Sequence, residues 1–184
     1  MQYKKVSLVP VIALVLTFLA AMQPVYAASK EEINIRVDAA LERFTKEVEG
    51  GSQFLQQAKG ILVFPQVIKA GIGIGGEYGE GALRIGGKSV DYYATAAGSI
   101  GFQLGAQTKT VMLVFLQHDA LEDFRNSTGW KVGVDGSVAV VEFGTGKDIN
   151  SISISEPIVG FVFSNKGLMF NLTLEGSKIS KLVR

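Results

Sequence analysis

Glycine spacing constrains this chain more than any other feature. Eight of the 17 residues from Gly71 to Gly87 are glycine: Gly71, Gly73, Gly75, Gly76, Gly79, Gly81, Gly86 and Gly87. At alternate positions of an extended chain, glycine removes the side chains from one face. That lets a sheet curl sharply or another backbone pass close by. Gly71, Gly73, Gly75, Gly76, Gly79 and Gly81 are therefore read as structural glycines, and Gly86-Gly87 as the turn of a hairpin. The stretch from Gly71 to Gly76 also spells a dinucleotide fingerprint. That chemistry needs the last glycine to open a helix whose N-terminus meets a pyrophosphate. Glu77-Tyr78-Gly79-Glu80-Gly81 follows instead, a poor helix former that brings carboxylates toward any phosphate.

The segments around the glycines alternate between helical and extended patterns. Ser29 with Glu32 forms a capping box, and Ile33, Val37, Ala40, Leu41, Phe44 and Val48 recur at three- and four-residue steps. This predicts a helix over 30–48, with a shorter one over 52–58. Ile61 to Phe64 is an apolar run closed by Pro65. Extended runs are expected over 81–85, 89–96, 98–106 and 108–115. A helix over 119–127 follows, with Asp119 as its cap. Trp130 to Val141 alternates with period two, as a strand or bent hairpin with one buried face. Strands at 152–154, 159–164, 168–174 and 178–183 complete the pattern. The resulting expectation is one α+β domain. A strongly curled antiparallel β-sheet, or a partly closed barrel, has the N-terminal helices packed against it.

The N-terminus reads as a cleaved secretory signal peptide over 1–27, leaving a single domain over 28–184. Lys4 and Lys5 form the positive region, Val6 to Ala21 the apolar core, and Val25-Tyr26-Ala27 a small-residue cleavage site. The core is shorter than the roughly 20 residues that span hydrocarbon. Without Lys4 and Lys5, the 18 basic residues become 16 against 17 acidic, a net charge of minus one. Nothing in that balance points to nucleic acid, which usually selects a basic surface. The chain has no cysteine, so disulfides, Cys-ligated zinc and an N-terminal lipidated cysteine are excluded. A disulfide-free exported domain fits a bacterial periplasm or secretion into the medium.

Catalytic signals are sparse. His118 is the single histidine and stands at a helix start; with no cysteine it gives no basis for a dedicated zinc site. No serine sits in a nucleophile elbow. Glu77 and Glu80 fall on opposite faces of an extended chain, unlike the paired carboxylates of a glycosidase. No enzyme activity, cofactor or metal is expected.

From Gly60 to Gly71 and from Gly75 to Gly81 the chain resembles the SYLF domain, also called the Ysc84 or Las17-binding actin-regulator domain. The similarity continues through Gly98–Gln107, Leu121–Arg125, Gly129–Asp135 and Gly167–Ile179. The resemblance implies binding rather than catalysis. Eukaryotic members bind phosphoinositide membranes and some bind actin filaments, whereas bacterial members are exported proteins usually described as lipid-binding. An exported bacterial chain would not meet actin in its own compartment. A phospholipid or membrane surface is the partner expected here, with an envelope protein as the alternative in a structural or adaptor role.

Two sets of residues are candidates for such binding. Ile33, Val37, Leu41 and Phe44 form the apolar face of the first helix and are candidates for membrane insertion, the role the resemblance gives to an N-terminal amphipathic helix. The polar face of that helix mixes both charge signs. Lys69, Arg84, Lys88, Lys109, Lys131, Lys166, Lys178 and Lys181 are candidates for a lipid-headgroup patch.

Overall fold

The computed structural model describes residues 28–141, 156–164, 167–168, 174 and 176–184. The expected signal peptide, Lys166, the strand expected at 152–154 and residues 169–173 of the strand expected at 168–174 lie outside the described residues. Helix α1 (Lys30–Glu47) begins at Ser29, whose hydroxyl accepts from the Glu32 amide at 3.1 Å, as the capping box requires. Helix α2 (Gly51–Gln56) follows a left-handed Gly50. Helix α3 (His118–Asn126) departs from expectation at its start: the N-cap is Gln117, without a side-chain cap bond, and Asp119 lies in the first turn. There its charge still meets the positive end of the helix dipole.

Two very long strands dominate the sheet. β1 (Gly60–Ile85) and β2 (Lys88–Phe115) run to 26 and 28 residues and pair antiparallel around the Gly86-Gly87 turn. Both turn glycines have positive φ, 57° and 79°. Separate shorter runs were expected here, with Pro65 closing the first. Instead Pro65 sits at a register shift between Phe64 and Val67, where a residue without an amide hydrogen is tolerated. Thr110 donates to the Pro65 carbonyl at 2.9 Å.

At about 3.3 Å per residue, a straight strand of this length would reach roughly 85 Å, far longer than an ordinary strand. The hairpin bends back on itself instead. A β-carbon added to Gly81 would lie 2.0 Å from the Val63 carbonyl oxygen, and one added to Gly79 would lie 2.8 Å from the Gln66 oxygen. The backbone around Val63–Val67 therefore rests directly on these glycines. Further register shifts occur at Gly71/Gly73 and Leu83/Arg84.

The remaining strands extend the edge of β2. β5 (Ile158–Ser164) pairs with Lys109–Phe115, and β7 (Lys178–Leu182) pairs with Tyr92–Ala96. β3 (Trp130–Lys131) adds to β7, while β4 (Ala139–Val140) and β6 (Gly167–Leu168) add to β5. Among the described residues seven strands form one strongly curled sheet, antiparallel except for the β4–β5 pair. The alternation expected from Trp130 to Val141 holds for buried Trp130 and Val132. It breaks at Val134, which stands 75% exposed in a turn that folds Gly136 against the indole of Trp130.

Alternation along the strands creates two cores. Leu62, Phe64, Val111, Leu113 and Phe115 point into the concave side, where Leu121 and Phe124 of α3 and Trp130 fill the interior. Val63, Ala82, Met112, Val114, Phe161 and Phe163 point the other way and are covered by Ile33, Val37 and Phe44 of α1 and Phe54 of α2. Phe44 packs edge-to-face on Phe161 and Phe163, with centroids 4.8 and 5.7 Å away. The molecule is thus an α+β half-barrel with its N-terminal helices docked on the convex face, as the sequence pattern predicts.

Candidate functional site

Folding the hairpin back joins charges that are distant along the chain. Lys69 and Lys109 precede or follow the bend, and Glu77 lies beyond it. The Glu77 carboxylate meets Lys109 Nζ at 2.6 Å and Lys69 Nζ at 3.6 Å. Lys109 is buried at 8% exposure on the concave side, so this pair is desolvated and its two charges depend on each other. Arg84 is equally engaged on the convex side. Its guanidinium donates to Asp38 of α1 at 2.5 Å and to the carbonyls of Gly87 and Asn34.

Lys181 pairs with Asp91 at 2.6 Å, and Arg125 of α3 meets the same carboxylate at 3.3 Å. Behind them lies Tyr93, 3% exposed, whose phenol oxygen has no hydrogen-bond partner. Burial first, then the Asp91 charge, push that phenol up to about 12, while Arg125 acts in the opposite sense. Glu80 is separate from Glu77: it accepts from Tyr78 at 2.8 Å and from Arg184 at 2.5 Å. Arg184 also donates to the Ala28 carbonyl, which ties the last residue to the start of α1.

The seven basic candidates among the described residues therefore do not form one patch. Lys69, Arg84, Lys109 and Lys181 each face a carboxylate. Lys88 is exposed beside the hairpin turn. Lys131 and Lys178 stand directly opposite each other on β3 and β7, both exposed, and no ion pair holds either of them among the described residues. The stem of Lys178 lies across Gly129. Like charges at opposed cross-strand positions repel, so this pair is a place where a bound anion would relieve strain in the sheet.

The helix candidates are divided as well. Ile33, Val37 and Phe44 are 2%, 0% and 0% exposed against the sheet, so inserting them into a bilayer would require α1 to leave Phe161 and Phe163 uncovered. Only Leu41 is partly open. The polar face of α1 is neutralised within itself by the pairs Glu32–Arg36, Glu42–Lys46 and Arg43–Glu47. Hydrogen bonding to Lys46 holds the exposed Glu42 carboxyl below its ordinary range.

Leu41 and Arg84, one from each set, meet at a cavity of about 250 Å³ between α1, α2 and the hairpin turn. Lys59 also lines it and was not among the sequence candidates, since only the topology brings the start of β1 beside its end. The partners of the basic residues were missed for the same reason. Asp38, Glu77 and Asp91 lie 46, 32 and 90 positions from Arg84, Lys109 and Lys181 along the sequence.

Among the described residues, no group of three or more His, Cys, Asp or Glu side chains is placed to hold a metal. His118 is exposed at the first position of α3. No helix among the described residues is long and apolar enough to cross a membrane. These features define a half-barrel scaffold with charged surface features. Residues 96–182 match the Ysc84 family, described as Las17-binding protein actin regulator. The match runs from Ala96, in the first third of β2, through β7 and makes this part of the chain Ysc84-like, leaving α1, α2, β1 and the start of β2 outside. No curated protein matches the chain.

Proposed function

We propose that this protein is a non-catalytic module that binds anionic phospholipid or a membrane surface as an exported bacterial domain. In this reading residues 1–27 are a signal peptide removed on export. The domain then acts in the periplasm or outside the cell, soluble or peripherally bound to membrane. The observation that carries the reading is the exposed Lys131–Lys178 pair, two opposed cations whose ammonium groups no ion pair holds among the described residues, while the nearby Asp135 carboxylate accepts from the Lys131 backbone amide at 2.7 Å. Each such lysine contributes about 1 kcal/mol near an anionic membrane surface. The SYLF resemblance and the Ysc84 match support the same class of function. The family's printed description concerns Las17 and actin, and an exported bacterial domain would meet neither.

Docked α1 favours surface adsorption over helix insertion. On insertion Ile33, Val37 and Phe44 would pass from one apolar surrounding to another, so the cost is that of opening Phe161 and Phe163 beneath them to water, about 1.5–3 kcal/mol for each side chain fully exposed.

Co-sedimentation with vesicles tests the reading. The protein is expected to pellet with phosphatidylglycerol vesicles at low salt, to be released as salt rises, and to ignore phosphatidylcholine. Reversing both lysines, Lys131→Glu with Lys178→Glu, should weaken capture at least about thirtyfold, which corresponds to about 2 kcal/mol. Failure of the unaltered protein to pellet with either vesicle would remove the membrane reading. Stoichiometric capture of one envelope protein, without lipid, would favour an adaptor role instead.

A further inference from the structure

The middle of the β1–β2 hairpin differs from both of its ends. From Ala70 to Gly76 in β1 and from Ala97 to Ala106 in β2 no residue is charged, and the positions between the glycines include Ile72, Ile74, Ile100, Phe102 and Leu104. The two segments lie opposite each other in the ladder, with Gly71 across from Gly105, Ile74 from Ile100 and Gly76 from Gly98. β5 pairs with β2 only from Lys109 onward, and β7 only as far as Ala96. Among the described residues, the stretch between them is therefore a ribbon of two strands.

The ribbon is also where the hairpin folds back. Lys69 and Glu77 bracket its β1 strand and approach to 3.6 Å, while Glu77 meets Lys109 at 2.6 Å. The seven residues between Lys69 and Glu77 thus leave this ion cluster and return to it. At about 3.3 Å per residue, the bend reaches at most roughly 12 Å beyond the cluster. Large apolar side chains stand open on either side of its base: Ile68 is 45% exposed and Tyr78 52%. Tyrosine suits a membrane–water boundary, with an apolar ring and a polar tip. Lys178 lies opposite Ala96, the last β2 residue before the ribbon, and Lys131 lies opposite Lys178. Around the base, Lys69, Lys109, Lys131 and Lys178 outnumber the carboxylates of Glu77 and Asp135.

We infer that the bent ribbon enters the interfacial layer of an anionic bilayer while the lysines around its base lie on the headgroups. A charge-free segment next to a net positive base matches the order of a bilayer, acyl chains beneath anionic headgroups. The inference rests on the membrane reading above and gives it an apolar anchor that the docked helix α1 does not supply. The backbone limits the depth. An open strand edge is not tolerated in hydrocarbon, whereas at headgroup level water completes its hydrogen bonds. The reach of the bend agrees with the roughly 5–10 Å to which interfacial elements are buried.

The chain has no cysteine, so Gln103→Cys offers a single site for a polarity-sensitive fluorophore without removing an apolar residue of the ribbon. On phosphatidylglycerol vesicles its emission is expected to shift to the blue. Bromines near the glycerol end of the acyl chains should quench it more than bromines at the chain terminus. Ile74→Ser with Ile100→Ser, at one register position, should weaken vesicle capture at least about tenfold while the melting curve stays cooperative. Should the serine pair unfold the domain, the label decides alone. A protein that pellets with these vesicles while the label neither shifts nor is quenched overturns the inference and leaves adsorption through Lys131 and Lys178 standing. A protein that does not pellet at all removes the membrane reading and this inference with it. A blue shift that grows with protein concentration in the absence of vesicles would mean that a second copy covers the ribbon, and would also overturn it.

Discussion

In the half of the hairpin next to α3, Leu62, Val63 and Phe64 face Leu113, Met112 and Val111 across the ladder, and all six are buried. Both faces of the sheet are dry there, one against α1 and the other against the interior. In the half that carries the turn, the same two strands present Glu77, Glu80, Arg84 and Asp91, and each of these charges is held by a residue from another part of the chain. The first half is held by packing, and the second by packing at Ala82, Leu83 and Tyr93 together with these ion pairs. Interiors pack at crystal-like density and resist rearrangement, whereas charged sites keep donors that a ligand can compete for. In the proposed reading, recognition falls in the turn half and on the neighbouring β3–β7 edge, with the dry half as the rigid support.

The junction between the halves is the most sensitive point. At Gly81 a β-carbon would collide with the Val63 carbonyl at 2.0 Å, so Gly81→Val forces the two halves apart. The expected loss is about 3 kcal/mol or more, enough to abolish cooperative thermal unfolding in a marginally stable domain. A normal melting curve for this variant would show that the halves need not touch.

The next effect sharpens the charged half. Glu77→Gln leaves Lys109 buried without its carboxylate and should cost about 2–4 kcal/mol in urea unfolding. Adding Lys109→Met removes the stranded charge and should recover much of that loss. If the double variant is no more stable than the single one, the pair is not an isolated electrostatic unit.

The smallest effect is a pH signature. Tyr93 has a folded-state value pushed up to about 12, above the ordinary tyrosine value of about 10, so the folded state favours its protonated form. Its contribution to stability is full below about pH 10 and is lost as pH rises through about 12. Tyr93→Phe should therefore flatten the alkaline end of the stability profile and remove the latest tyrosinate absorbance step. An unchanged profile would place the alkaline loss elsewhere.

Much of the architecture was legible in the sequence because local chemistry dictates it. The Ser29 capping box, the α1 stripe, the Gly86-Gly87 turn and the curl at Gly79 and Gly81 all follow from backbone and period arguments. Continuity of β1 through Pro65 was not legible, because a register shift absorbs proline only once the partner strand is known. The site was read less well. Lys69, Lys109 and Lys181 look like free lysines until the fold brings Glu77 and Asp91 beside them. Lys59 gains interest only from the cavity. The apolar face of α1 has the same pattern whether it covers a sheet or enters a bilayer, and the buried positions of Ile33, Val37 and Phe44 come from the fold alone.

Hydrogen exchange of the protein with and without phosphatidylglycerol vesicles, at a salt concentration where the protein pellets, tests the central claim most directly. With recognition in the charged half and α1 docked, the amides of Lys30–Glu47 and of Met112–Phe115 keep their protection on vesicles, while β3, β7 and the Gly86-Gly87 turn gain protection. Loss of protection across α1 together with Met112–Phe115 would mean that the helix leaves the sheet to enter the bilayer, and would contradict the account.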